Sequence, residues 1–292
     1  LWIFVNNSGL YKIDMSTFKI EDHYTLLTDY EGNSLRTFYI DKKGYIWFGT
    51  IDGIYIFDPT DGKLSHYKHS RTDPFSLPNN SIWEISEDRQ SNVWIGTYSG
   101  TLCYVNIDEN NAFKTYHPQN SGLNHTPVSA FAEDQQYLWV GTEGGGINRM
   151  NKATGEFSYI TSANSITSNN IKSLITDAGH NLWISTFMGG LDLYNVGRQK
   201  VTNFKHTKGA PHSLLVNDVR KTILEGDSGM WVAYQYQKAE VSYFSFREES
   251  FTHFSLDSIS NNSYLFDILR QGEKTLWAIS NETLYRLDID KH

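Results

Sequence analysis

Tryptophan recurs in this chain at an almost fixed interval. Trp2, Trp47, Trp94, Trp139, Trp183, Trp231 and Trp277 are separated by 45, 47, 45, 44, 48 and 46 residues. Each sits in the same kind of short apolar run, written in order LWIFV, IWFGT, VWIGT, LWVGT, LWIST, MWVAY and LWAIS. A period in this range means that one supersecondary unit recurs and buries its faces against copies of itself. That requirement restricts the possible folds more than any other feature of the sequence.

Each period reads as four short strands. An alternating run such as SIWEISED or NIKSLITD is followed by a polar turn, the Trp strand, a glycine-containing turn, a third run such as GIYIFD, another polar turn such as PTDGK, and a fourth run such as KLSHYKH. All are too short and too regularly alternating to be helices. Four strands in about 45 residues make a propeller blade. The expected fold is therefore all-β, a seven-bladed β-propeller of four-stranded antiparallel blades, with residues 1–292 as a single propeller domain. The chain opens inside a Trp strand and closes after LYRLDID. The blades at both ends are thus expected to be incomplete, with flanking sequence of a longer protein supplying the missing strands.

The seven tryptophans are assigned to the blade core, because a large ring on the second strand fills the wedge between stacked sheets. The eighth, Trp83, falls on a first strand and could face either a neighbouring blade or the channel. The turns before the Trp strands, DKKGYIW, EDRQSNVW, EDQQYLW and DAGHNLW, carry an acidic residue whose carboxylate can accept backbone N–H bonds within the turn. Carboxylates distributed one per blade do not converge as calcium ligands must, so no metal is assigned. In NLWISTFMGGLDLYN, Gly189 and Gly190 do not join a strand to a helix as a phosphate loop would. They serve a hairpin.

Composition narrows the function. The formal charge is −8, and no cluster of Lys and Arg is longer than Lys42 and Lys43, so nothing neutralises a run of phosphates and no nucleic-acid contact is expected. No stretch approaches the roughly 20 apolar residues of a membrane span, which places any anchor outside these residues. The single Cys103, in TLCYV, reads as a packed strand residue. No cofactor is assigned.

The stretches NIKSLITDAGHNLWISTFMGGLDLYNVGRQKVTNF, SIWEISEDRQSNVWIGTYSGTLCYV and YLWVGTEGGGINRMNKATGEFSYI, with the linkers HSRTDPFSLPNNSI and HTKGAPHSLLVNDV, resemble the two-component regulator propeller repeat. That repeat is found in periplasmic sensor regions of hybrid two-component systems of gut bacteria. The resemblance weakens at MWVAYQYQKAEV and at LWAISNETLYRLD. It implies a larger multidomain sensor with two propellers, a small β-sandwich, a membrane helix, a histidine kinase, a receiver and a DNA-binding regulator. It also implies a homodimer in the inner membrane, an oligosaccharide as signal, and control of polysaccharide utilisation, with the kinase activity outside this chain.

Binding residues are expected on loops, which vary while the blades hold them. The turns after the Trp strands supply Asp52, Tyr98, Glu143, Phe187, Met188, Tyr234, Gln235 and Tyr236; the linkers add Arg71, Asp73, His125 and His212. Sugars need apolar rings for their C–H faces and charged or amide groups for their hydroxyls, with Arg suited to a carboxylate or sulfate. Arg71, Tyr98, Glu143, Phe187, Tyr234, Tyr236 and His212 are the ligand-binding candidates on that ground. The alternatives are a propeller glycosidase or lyase, which needs paired carboxylates that no motif supplies, and a protein-interaction or dimerisation platform. No catalytic residue is assigned.

Overall fold

The computed structural model describes every residue except 6–7, 26–34, 99–100, 107–109, 118–120, 236–239, 257–264, 273, 281–282 and 290–292. Among the described residues the strands form seven antiparallel sheets, each laid out in chain order. Five sheets have four strands. The first, Trp2–Val5, Gly9–Ile13 and Ile20–Tyr24, and the last, Leu265–Gln271, Thr275–Ser280 and Leu284–Asp288, have three. The fold is an all-β, seven-bladed propeller with four-stranded blades, three-stranded at both ends of the chain.

Contacts gather the blades into two compact units, Leu1–Thr115 with the first three and Tyr116–His292 with the remaining four. Within each unit the first strands of consecutive blades lie side by side. The second strands are buried at every position in IWFGT, VWIGT and LWIST. A strand covered on both faces gains from apolar residues at successive positions, which is why these runs lack the alternation that the first strands keep.

Four tryptophans of the second strands pack into the face of the blade that follows. Trp47 lies against Ile82, Ile85, Val93 and Ile95, and Trp139 against Ile171, Leu174, Leu182 and Ile184. Trp183 packs with Val219, Met230 and Val232, and Trp231 with Leu265, Ile268 and Leu276. Trp94 and Trp277 are also buried, and Trp2 is half-buried beside Ile46 and Phe48.

The indole N–H of six of these rings is satisfied within its own blade. Trp47 donates to Asp41 at 2.9 Å, Trp94 to Asp88 at 2.8 Å, Trp139 to Asp134 at 3.0 Å, Trp183 to Asp177 at 3.0 Å, Trp231 to Glu225 at 3.0 Å and Trp277 to Gln271 at 2.8 Å. The other carboxylate oxygen takes turn amides, as Asp41 Oδ1 does from Lys43 and Tyr45 and Asp88 Oδ1 does from Gln90 and Asn92. Three residues after the acid the backbone enters the left-handed region, at Gly44, Ser91 and His180, with φ of 90°, 63° and 60°. In DAGHN that step falls on His180 rather than on the glycine before it.

The linkers are held by a second repeated device. Leu77, Leu123, Ile166 and Leu214 are buried, and the residue after the apolar anchor is tied to the third strand of the following blade. Asn124 N–H donates to Asn148 Oδ1 at 2.8 Å, and Thr167 N–H to Asp192 Oδ2 at 2.7 Å. Leu215 N–H meets the Tyr234 hydroxyl at 3.5 Å, which in turn donates to Ser242 Oγ at 2.7 Å. Before the third blade the linker residue is Pro78, which has no N–H to donate. The strand position corresponding to Asn148 and Asp192 is there Cys103, which pairs with Ile95 as Asn148 pairs with Val140 and Asp192 with Ile184. Cys103 is wholly buried. The donor and the acceptor are lost together.

Candidate functional site

In five blades the first strand is irregular at the end nearest the glycine turn. A bulge interrupts the pairing between Ile82 and Glu84, Val128 and Ala130, Ile171 and Ser173, Val219 and Lys221, and Leu265 and Asp267. The residues inserted there are Trp83, Ser129, Lys172, Arg220 and Phe266. Arg36, just before the strand Thr37–Ile40, occupies the same step, since Thr37 faces Gly49 as Glu84 faces Gly96. A bulge re-aims the extra side chain out of the regular alternation. These six positions therefore carry unlike residues on a repeated frame.

In the first unit the bulge brings an aromatic pair under a cation. Trp83 and Tyr98 lie with ring centroids 5.3 Å apart and planes at 34°, and the Arg36 guanidinium stands 5.0 Å from the Trp83 ring and 5.5 Å from Tyr98. Tyr98 is half exposed. Its backbone is fixed by a bond from its N–H to Ser81 O at 2.9 Å, and Ser81 N–H is itself held by Asn79 Oδ1 at 2.8 Å.

In the second unit Lys172 Nζ donates to Glu143 and stands 5.6 Å from the Phe187 ring. The Phe187 turn is locked to the linker through its N–H to Asn170 O at 3.0 Å, and Met188 N–H donates to Asp218 Oδ1 at 2.6 Å. Gly190, at φ 84°, closes that hairpin with the space of its missing Cβ occupied by Phe204 O. Arg220 Nε donates to Phe266 O at 2.6 Å, with its guanidinium 5.7 Å from the Phe266 ring.

The expected ligand-binding residues divide accordingly. Tyr98, Glu143 and Phe187 lie beside bulge residues. Arg71 and His212 belong to the outer part of the linkers. His212 O accepts from Phe251 N–H on the outermost strand of its blade, as Phe75 O accepts from Phe113 in the third blade, and Arg71 is exposed four positions before Phe75. Tyr234 is a correction: it is 1% exposed. It stands where other blades place a turn threonine, pairing with Val219 as Thr186 pairs with Ile171. Its hydroxyl bridges linker and strand, and burial pushes its pKa up to about 12. Tyr236 lies outside the described residues. Of the other turn and linker residues, Asp52 is ion-paired with Lys68 at 2.7 Å, and His125 fills the space beside Gly144 and Gly145.

Sequence reasoning did not single out Arg36, Lys172, Arg220 or Phe266. Their signal was the residue opening each alternating run, which varies freely while the flanking apolar residues do not. Trp83 was noticed, but its direction needed the bulge.

The family model for the two component regulator propeller matches residues 29–52 and 76–99. The chain carries two-component regulator propeller repeats. The regulator-propeller chain is 31% identical over 225 residues to histidine kinase P4 of Formosa agariphila, covering 72% of this chain and 16% of that protein. Among solved structures it is similar to the extracellular domain of a hybrid two-component system from B. thetaiotaomicron, at 20% identity over 99% of this chain and 38% of that one, with a TM-score of 0.78. A second extracellular domain from B. thetaiotaomicron, described as part of a one-component system, gives 20% identity over 98% of this chain and 46% of that one, with a TM-score of 0.51. The regulator propeller thus spans about a sixth of the curated relative and less than half of either structural neighbour.

Proposed function

We propose that this regulator propeller is an extracytoplasmic ligand-sensing domain of a hybrid two-component signalling protein, without enzymatic activity of its own. In the periplasm it detects an oligosaccharide, and a histidine kinase elsewhere in the same inner-membrane protein carries the signal toward genes for polysaccharide utilisation. The observation that carries this reading is the family match combined with relatedness to a histidine kinase over most of the chain. The neighbouring propeller and signalling domains, a membrane anchor and a second copy of the sensor are its partners in this scheme.

The architecture suits such a role. Bulge residues and hairpin tips present aromatic rings, cations and Glu143 from strands that tolerate little movement, because the blades that carry them pack face to face with a neighbour in the same unit. Bound ligand then changes how rigid sensor bodies sit relative to the rest of the protein, with a coupling energy typically of about 1–3 kcal/mol. Titration calorimetry with a panel of neutral and acidic oligosaccharides, run beside a reducing-end assay for cleavage, tests it. Saturable binding without hydrolysis is expected. Turnover of any of them by the purified chain overturns the sensor reading.

A further inference from the structure

Among the described residues of the first unit, the cations at ion-pair distance from acids include Lys12 with Glu21 and Asp22, Lys42 with Glu87, and His66 and Lys68 with Asp52. Arg36 is not among them. Its side chain rests on the faces of Trp83 and Tyr98, and it is exposed. In the second unit Lys172 is neutralised by Glu143, Lys221 by Asp267 and Arg270 by Glu225. In a chain of net charge −8, a guanidinium held by two rings and left without a carboxylate is an arrangement that calls for an anion.

We propose that Arg36, Trp83 and Tyr98 form a clamp for an anionic sugar, one that bears a carboxylate or a sulfate. The tilted rings offer apolar faces to the C–H surface of a pyranose, and stacking holds the planar guanidinium with its N–H donors free to take an oxyanion in two parallel bonds. Little side-chain ordering remains to be done on binding. The bulge that inserts Trp83 between Ile82 and Glu84, and the bond from Tyr98 N–H to Ser81 O, already fix the backbone that carries both rings. Lysine would not serve equally, since a point charge does not stack flat or bond an oxyanion bidentately. This assignment rests on the oligosaccharide-sensing reading and narrows its ligand class.

Calorimetry on the 292-residue chain with trigalacturonate, its methyl ester and a sulfated galactose trisaccharide tests the clamp, alongside the variants Arg36→Gln, Arg36→Lys and Trp83→Phe. The ester keeps the ring and removes the charge. At least one of the two acidic sugars is expected to bind about tenfold or more tightly than the ester, with an affinity that falls as salt rises. Which acid binds decides between carboxylate and sulfate. Arg36→Gln should abolish the preference at an unchanged thermal midpoint, Arg36→Lys should recover only part of it, and Trp83→Phe should remove the accompanying change in tryptophan fluorescence. Equal binding of acid and ester, or acid binding by Arg36→Gln at wild-type strength, overturns the clamp and leaves the sensing reading standing. Failure of all three sugars to bind overturns the clamp, while binding of a neutral oligosaccharide from the wider panel in that case preserves the sensing reading.

Discussion

The indole N–H of Trp183 donates to Oδ2 of Asp177 at 3.0 Å, while Oδ1 of the same carboxylate accepts the Asn181 N–H at 2.9 Å. One side chain thus closes the first hairpin of the blade and satisfies the only polar atom of the ring wedged against the next blade. Replacing Asp177 by alanine leaves a buried indole N–H and a turn amide unpaired, and should cost about 2–4 kcal/mol. Asp177→Asn should cost clearly less, because Gln271 shows that a neutral amide oxygen accepts this bond from Trp277. Urea denaturation of the two variants separates them, and equal losses would refute the account.

His180 and Gly179 provide a second test in the same turn. His180 adopts φ 60° and is exposed, whereas Gly179 has an ordinary φ. His180→Gly should stabilise the chain by about 0.5–1 kcal/mol by removing the strain of a left-handed non-glycine residue. A methyl at Gly179 would crowd Asn181 Nδ2 at 3.0 Å and Asp177 Oδ1 at 3.2 Å, so a thermal midpoint that rises for His180→Gly and does not rise for Gly179→Ala is the expected pattern.

Asp192 is wholly buried, and desolvation raises its pKa despite hydrogen bonds from Thr167 and from Asn203 Nδ2 at 2.6 Å. An acid whose folded pKa lies above its unfolded value binds more protons when folded. Its contribution to stability is therefore greatest below about pH 4 and declines as pH rises through the elevated folded value. The difference in unfolding free energy between wild type and Asp192→Asn, measured from acid to neutral pH, should move against the wild type across that window. A difference independent of pH would show that the carboxyl does not titrate there.

Cys103 is buried among Ile82, Ile95 and Phe113, and burial pushes its thiol pKa upward. The thiolate is the reactive form. A maleimide or aromatic disulfide reagent should leave the native protein unlabelled at neutral pH and label it once urea unfolds it. Rapid labelling under native conditions would contradict the packing described for the third blade.

Much of the architecture was legible in the sequence because it repeats. The Trp interval gave the number of blades, and the acidic turn before each Trp announced a carboxylate bound to turn amides. The same carboxylate's bond to the indole was not legible, since it joins residues whose separation, six in DAGHNLW and five in DQQYLW, is set by the hairpin. Ligand-binding candidates were harder to place. Tyr98, Glu143 and Phe187 followed from their position after a turn threonine, but Tyr234 replaces that threonine and turns inward. Arg36 and Trp83 meet across two blades, 47 residues apart, and no local pattern foretells such a meeting.

The pairing of Pro78 with Cys103 has a consequence for how this chain can be recombined. A linker ending in a residue with an N–H, grafted before the third blade, would bury a donor against a thiol. Pro78 grafted before the fifth blade in place of Thr167 would strip Asp192 of two of the bonds that make its burial tolerable, from the Thr167 N–H and hydroxyl. The repeats look interchangeable in sequence, yet each joint is matched to the blade it enters. A functional shuffle of these modules must move linker and blade as one cassette.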